Sequence, residues 1–432
     1  MSISIKKTIC CLVTIYSVFA IGQEKTWSLQ ECVRVAMQNS LEVKAGQLAV
    51  EQAKKNYTHP LLELVPNVSF TANHSYNFGS TIDPATNNRV SSDIQWDNFY
   101  LNANSNLLDF SSLALAKRNK LAIDLAKADK AVIENEYKMQ VLQKYFDALF
   151  SQELVKIQKE QLQNSTFNLQ RIEKEVQIGN KAQSDLYDIQ FSFSQDQKRL
   201  LEAEQLFETL KKELFQLMNR NDEVAKIQLQ MEIAPVEVVP VSENPKIEVA
   251  NLTFEMAKKE LAMERGFNLP SLRGFYGWST FYSTPINQPN INVPNFSQQF
   301  TDNKNQQVGL QLEIPVFTGF RKNRQIAAAK INTERLKVLS ENEKIKLART
   351  IEIENLKKQQ FEQLVPSIEN TLKYAQESFR TSQSKFSSGL IEAVVFIAVK
   401  NQLLSSQYDA LKNNLQIQLT TFKINLIAAN QL

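Results

Sequence analysis

The chain says the same thing twice, and this duplication constrains its fold more than any other feature. Ala53-Lys54-Lys55 followed by Pro66 recurs as Ala257-Lys258-Lys259 followed by Pro270, at one offset of 204 residues. Gly179 recurs as Gly389, at an offset of 210. Each copy reads helix, strand, strand, very long helix, glycine, long helix. The period is far above that of solenoid repeats, so it describes a duplicated half-protein. The first copy covers 23–220 and the second 244–432, with a linker at 221–243 that carries Pro235, Pro240 and several valines.

The strands separate two environments. From Val68 to Phe78 one face is mostly apolar (Val68, Phe70, Ala72, Tyr76, Phe78) and the other is Ser69, Thr71, Asn73, Ser75 and Asn77. Side chains alternate across a strand, so period two marks a two-sided sheet. Phe99 to Leu107 repeats the pattern with Asn102, Asn104 and Asn106 on one side, and Gln307 to Val316 sets Gln307, Gly309, Gln311 and Glu313 against valine, leucine and isoleucine. The fourth strand, Leu272 to Tyr282, is less regular and rich in aromatics. A half-buried soluble sheet alternates in the same way. Two details favour a membrane barrel: strands of about 10 residues suit a tilted crossing of an outer membrane, and aromatics gather at one end of each pair. Tyr76, Phe78, Trp96, Phe99 and Tyr100 flank the loop at 79–97, and Trp278, Phe281 and Tyr282 flank the loop at 283–305. Those loops are polar and rich in Asn, Ser and Pro. On this reading Ser69, Thr71, Asn73, Asn102, Asn104 and Gln311 line a wet lumen. His74 interrupts the apolar face as a polar side chain near the membrane edge.

Four strands cannot close a cylinder, and an open edge in lipid leaves backbone groups unpaired. Several copies must therefore pool their strands. Three copies give twelve, the smallest even solution of good size.

Leu113 to about Ile178 holds no Pro and no Gly, which at ~1.5 Å per residue makes a rod of roughly 100 Å. Val155, Leu162, Leu169 and Val176 fall seven apart, as do Val365, Leu372, Phe379 and Phe386. Such seams predict coiled-coil packing. Each seam arrives at a glycine, the usual residue at a helix stop in the left-handed conformation. Gly179-Asn180-Lys181 and Gly389-Leu390-Ile391 are therefore the predicted tips of two antiparallel helical hairpins, against the alternative of a kink in one continuous helix. Leu390 and Ile391, apolar at an extremity, suggest a docking surface. Ser28 with Glu31 reads as a capping box, and Asn244-Pro245 as a cap with proline at the first helical position. Pro366 is expected to interrupt or bend the second long helix.

Residues 1–22 read as a secretory signal: Lys6-Lys7, a short apolar stretch from Thr8 to Phe19, and small residues before Gln23. Cys32 is then the only cysteine of the exported chain, so no internal disulfide is available. The formal net charge is +3, two units of it from Lys6 and Lys7. That is no footprint for nucleic acid. No phosphate-binding glycine loop, Cys/His ligand set or nucleophile triad is recognisable, so neither enzyme chemistry nor a cofactor nor a metal is expected.

Trp27-Ser28-Leu29-Gln30-Glu31, the following Asn39-Ser40, the strand ending Ile314-Pro315-Val316-Phe317-Thr318-Gly319, and the twin glycines resemble the TolC-like outer-membrane efflux family over essentially all of the exported chain. The resemblance implies an α+β membrane protein: a homotrimer with a twelve-stranded barrel and a helical tunnel in the periplasm. It implies a passive exit duct for an RND or ABC inner-membrane pump, reached through a periplasmic adaptor that meets the hairpin tips. Family members often narrow the periplasmic mouth with acids six and nine places after the second glycine. Here those positions are Val395 and Ala398, with Phe386 where some members have tyrosine and Ile391 where some have arginine. Asp185 and Asp188 keep the acidic spacing in the first hairpin, so the entrance is either apolar or charged by them. Asp185 and Asp188 are equally explained as a solvated helix start, where acids are favoured. A periplasmic coiled-coil scaffold or surface adhesin is the competing class; it would not need aromatics at the strand ends.

Overall fold

A computed structural model describes residues 25–82, 87–91, 93–220, 227–231, 244–286 and 293–430. The expected signal 1–22 and most of the linker lie outside these. The chain divides into two compact units, each drawing on both copies. One takes Gln47–Ala128 and Glu248–Asn342; the other takes residues up to Gly46, Asp129–Ile247 and Glu343–Leu432.

The first unit is built on a four-stranded antiparallel sheet of β2 (Asn67–Asn77), β5 (Ile94–Leu108), β7 (Ser271–Pro285) and β8 (Asn305–Glu313), in that order. The central pair, β5 with β7, joins one strand from each copy. The connections to the long helices all leave from the same end of the sheet, where Asn67 stands opposite Asn104 and Ser271 opposite Glu313. There α5 (Pro245–Gly266) enters β7 and β5 runs into α3 (Phe110–Gln177). Gly266 makes that junction possible: a Cβ on it would lie 2.7 Å from the Ser111 nitrogen, closer than van der Waals contact allows.

The loops are more ordered than their composition predicts. β5 and β7 continue well into the expected loop ranges. The first loop holds a small hairpin, β3 (Ser80–Ile82) with β4 (Arg89–Ser91), and the second holds a helix, α6 (Phe296–Asp302), capped by Asn295. β8 stops at Glu313 although the alternation runs on to Val316, because Pro315 has no N–H for a ladder.

The second unit is helical. β1 (Lys25–Trp27) lies parallel to β6 (Ile227–Leu229), so the linker holds a short strand. α1 (Leu29–Asn39) begins as read, with Ser28 Oγ accepting from Glu31 N at 3.1 Å. It breaks at Ser40, whose hydroxyl accepts from Val43 N and starts α2 (Leu41–Asn56). Trp27, Leu29, Cys32, Tyr145, Phe146, Leu214, Phe215 and Phe422 share one buried core.

α3 and its return helix α4 (Gln183–Leu217) run antiparallel: Tyr137 meets Leu217, Lys144 meets Glu213, Lys159 meets Glu204 and Ser165 meets Asp196. α7 (Arg321–Ser387) and α8 (Ala393–Ala429) do the same through Phe361 with Asn413 and Phe379 with Phe396. Pro366 does not end α7. It denies the Glu362 carbonyl its usual donor, and beside it the Asn413 amide donates to the Phe361 carbonyl at 3.1 Å.

Candidate channel wall and hairpin tips

Register fixes which side chains share a face. Ser69 stands opposite Asn102, Asn102 opposite Gly277 and Gly277 opposite Gln307. Thr71 stands opposite Tyr100, Asn73 opposite Asn98, Asn104 opposite Phe275, and Gln311 opposite Arg273. All six predicted lumen residues therefore lie on one polar face. The other face carries Val68, Phe70, Leu101, Tyr276, Val308, Leu310 and Leu312, and on β8 Val308 is 82% exposed and Leu310 69%. Neither outer edge of the sheet, on β2 or on β8, has a strand partner among the described residues. His74 interrupts the apolar face as read, but not alone: its Nδ1 hydrogen-bonds the Asp97 carboxylate and its ring meets Tyr76 edge-on.

Both glycines end helices in the left-handed region, Gly179 at φ +81° and Gly389 at +74°. Gly179 N donates to Val176 O and Asn180 N to Glu175 O; Gly389 N donates to Phe386 O and Leu390 N to Lys385 O. This paired pattern is a glycine-terminated helix stop and excludes a simple kink. Gly179, Asn180, Gly389 and Leu390 are exposed and Ile391 is half-buried. Lys181 turns inward: its ammonium sits 5.2 Å from the Phe386 ring centre and 3.8 Å from the Asp185 carboxylate. Ile178 and Val394, not singled out from the sequence, add exposed apolar surface beside the tips.

The proposed entrance residues do not form one group. Phe386 is fully buried in a tip core with Ile172, Ile189, Ala393 and Phe396, stacked on Phe396 at 4.7 Å. It packs the two hairpins together and leaves no ring surface free to line an opening. Asp185 is no solvated acid either: its Oδ1 accepts from Ala393 N at 3.3 Å, so the first hairpin caps the helix of the second. Asp188 is half-buried, and Val395 and Ala398 are exposed.

Eleven residues beyond the second glycine, Lys400 is buried between the hairpins. Its Nζ lies 2.6 Å from Asp196 Oδ2, 2.6 Å from Ser192 Oγ and 3.3 Å from Ser165 Oγ. Burial pushes the Lys400 ammonium below the ordinary lysine value, although Asp196 opposes that shift. α4 and α8 run parallel here, since Asp185 meets Ala393, Ser192 meets Lys400 and Arg199 meets Asn401.

The chain as a whole is similar to known proteins. The profile described as outer membrane efflux protein matches residues 32–220 and 241–429. The chain belongs to the outer membrane efflux protein family. The two matched stretches repeat the duplication, and membership places the chain in the Gram-negative outer membrane. A relative, the alkaline protease secretion protein AprF of Pseudomonas aeruginosa, is 21% identical over 331 residues. That match takes in 74% of this family member and 65% of AprF. Among solved structures, CusC overlays with a TM-score of 0.80 at 14% identity, covering 95% of each chain. VceC of Vibrio cholerae gives 0.79 at 14% identity, over 93% of this chain and 95% of that one. The outer membrane channel CmeC of Campylobacter jejuni gives 0.76 at 15%, over 93% and 85%. At these identities the likeness speaks for the fold.

Proposed function

We propose that the protein is a homotrimeric outer-membrane channel-tunnel, the passive exit duct of a tripartite efflux or type I secretion system. The observation that carries this is a sheet with one polar face, one exposed apolar face and two edges that have no strand partner among the described residues. In lipid, only closure with further copies satisfies those edges. Three copies give a twelve-stranded wall whose lumen takes Ser69, Thr71, Asn73, Asn102, Asn104 and Gln311, with Val68, Phe70, Val308 and Leu310 facing lipid. The family is one of outer-membrane channels, and a conduit needs no catalytic group. A periplasmic adaptor docks on Gly179, Asn180, Gly389 and Leu390, where Ile178 and Val394 extend the apolar surface. An RND or ABC pump in the inner membrane supplies the energy. Val395 and Ala398 supply the exposed surface of the entrance, and the half-buried Asp188 its acid.

Opening requires the hairpins to part at the tips, which exposes Phe386 and Phe396 and uncaps Ala393. A disulfide between cysteines at positions 185 and 393 should block export while leaving assembly intact. Undiminished export by the oxidised double variant would reject that mode of opening. Channel formation itself is tested by conductance of the purified protein in planar bilayers, where silent membranes would reject the duct. The cargo is sought by deletion followed by a panel of toxic compounds and a survey of secreted products.

A further inference from the structure

The short helix α6 buries one amide and leaves one phenylalanine in the open, while Ser297, Gln298, Thr301 and Asp302 are exposed and Phe300 is half-buried. A surface helix ordinarily buries its apolar side and wets its polar one. In α6 the buried side chain is Gln299. Its amide engages β7 as a strand would: Ser283 N donates to Gln299 Oε1 at 3.0 Å, and Gln299 Nε2 donates to Ser283 O at 2.8 Å. One turn on, Asn303 Nδ2 donates to Phe281 O at 2.9 Å. β8 accompanies β7 only as far as the pair Ser279 with Asn305. The amides of Gln299 in α6 and of Asn303 at its C-terminal cap therefore satisfy the β7 edge beyond the point where β8 has ended, as buried backbone groups require.

Phe296, meanwhile, is 47% exposed. Its ring lies 6.1 Å from Phe99, 5.4 Å from Tyr282 and 5.6 Å from Phe300. Phe300 in turn lies 5.4 Å from Phe99 and 5.9 Å from Trp278. By register, Trp278 stands opposite Leu101, Phe99 opposite Thr280 and Tyr282 opposite Asp97. These are all on the sheet's apolar face, at the end away from the helix connections. The aromatic cluster thus continues the surface of Val68, Phe70, Val308 and Leu310, with Phe296 as its outermost ring.

We propose that α6 is an interfacial anchor, with Phe296 seated at the boundary between headgroups and acyl chains of the outer leaflet. This rests on the reading that the sheet's apolar face meets lipid. Aromatic rings favour that boundary, and the continuity of the patch with the lipid-facing strands selects lipid as its occupant. α6 thereby extends the wall's outer surface past the short β8.

Phe296→Trp keeps a ring at the position. The variant, purified whole and reconstituted into dioleoylphosphatidylcholine vesicles, should show added fluorescence that brominated phosphatidylcholine quenches and aqueous iodide does not. As a second probe, nitrobenzoxadiazole is attached to Phe296→Cys, to Ser297→Cys and to Leu310→Cys in a chain carrying Cys10→Ser and Cys11→Ser, where Cys32 is buried; the same chain without an added cysteine gives the background. The labels at 296 and 310 should lose most of their intensity to a spin-labelled lipid, and the label at 297 to iodide. Iodide quenching at 296 with lipid quenching at 310 overturns the anchor and leaves the barrel reading standing. Protection of 296 from both quenchers means a covering protein surface, such as a neighbouring copy, and also overturns it. Iodide quenching at 310 overturns the barrel reading and the anchor together.

Discussion

At the scale of single residues, the two glycines and the buried lysine carry opposite lessons. Gly389 sits at φ +74°, and a methyl group on it would meet nothing within 4 Å, so its constraint is conformational and not steric. Gly389→Ala should weaken the tip by roughly 1–2 kcal/mol, the cost of a left-handed L-residue, whereas Gly389→Asn should be milder. Hydrogen exchange at Leu390 reads this directly; equal protection in all three proteins would contradict it. Lys400 is 3% exposed beside Asp196 at 1%. Lys400→Met leaves that buried carboxylate with the Ser165 hydroxyl and with Arg199 at 3.6 Å as its remaining cation, and should cost up to about 3–5 kcal/mol in denaturant titration, with Asp196→Leu added to recover much of the loss. A loss under about 1 kcal/mol, the scale of an exposed pair, would show the pair to be solvated. Because the Lys400 value is lowered, the unfolded chain binds that proton more tightly than the native one. The native chain should therefore gain stability relative to Lys400→Met as pH climbs from the lowered value to 10.5. A difference that stays flat or falls over that range would contradict the assignment. The reading of the sequence missed the pair, although a signal was there: Ile189, Asp196 and Ala203 are seven apart, as are Ala393 and Lys400. A charge at a seam position signals a buried partner, but only the parallel alignment of α4 and α8 says which one.

At the scale of elements, periodicity revealed what is regular and missed what depends on neighbours. The long helices follow from uninterrupted seams, whose members Leu169, Val176, Phe379 and Phe386 reappear together in the tip core. The strands follow from alternation, which also placed the six polar positions on one face. The break at Ser40, the β1–β6 pair and α6 were not visible, because each is held by contacts distant in the chain. Composition marked the second loop as polar, yet Gln299 and Asn303 are polar there because they complete the edge of β7. Gln299→Ala strands the Ser283 N–H and carbonyl and should destabilise the loop end by about 1–3 kcal/mol per buried group left unsatisfied. Faster proteolysis within 287–304 measures it, and an unchanged cleavage rate would contradict the role. Gly266→Ala presses a methyl into the backbone at Ser111, where no side chain can give way. Assembled protein in the outer membrane should fall sharply; normal yield would mean that α5 and α3 separate freely.

At the scale of the whole molecule, the duplication is what the sequence states most plainly, and the structure gives it a purpose. Each copy contributes two strands, and β5 and β7 splice the copies into one sheet. The splice still leaves β2 and β8 as open edges among the described residues, so the sheet of one chain is an arc and not a ring. Cargo and pump are not written into that arc, since a conduit recognises little of what passes. The mass of the particle extracted from outer membranes in mild detergent, read by native mass spectrometry, tests this most directly. Three chains per particle is the predicted result; a stable single chain that stays in solution without detergent would contradict the account.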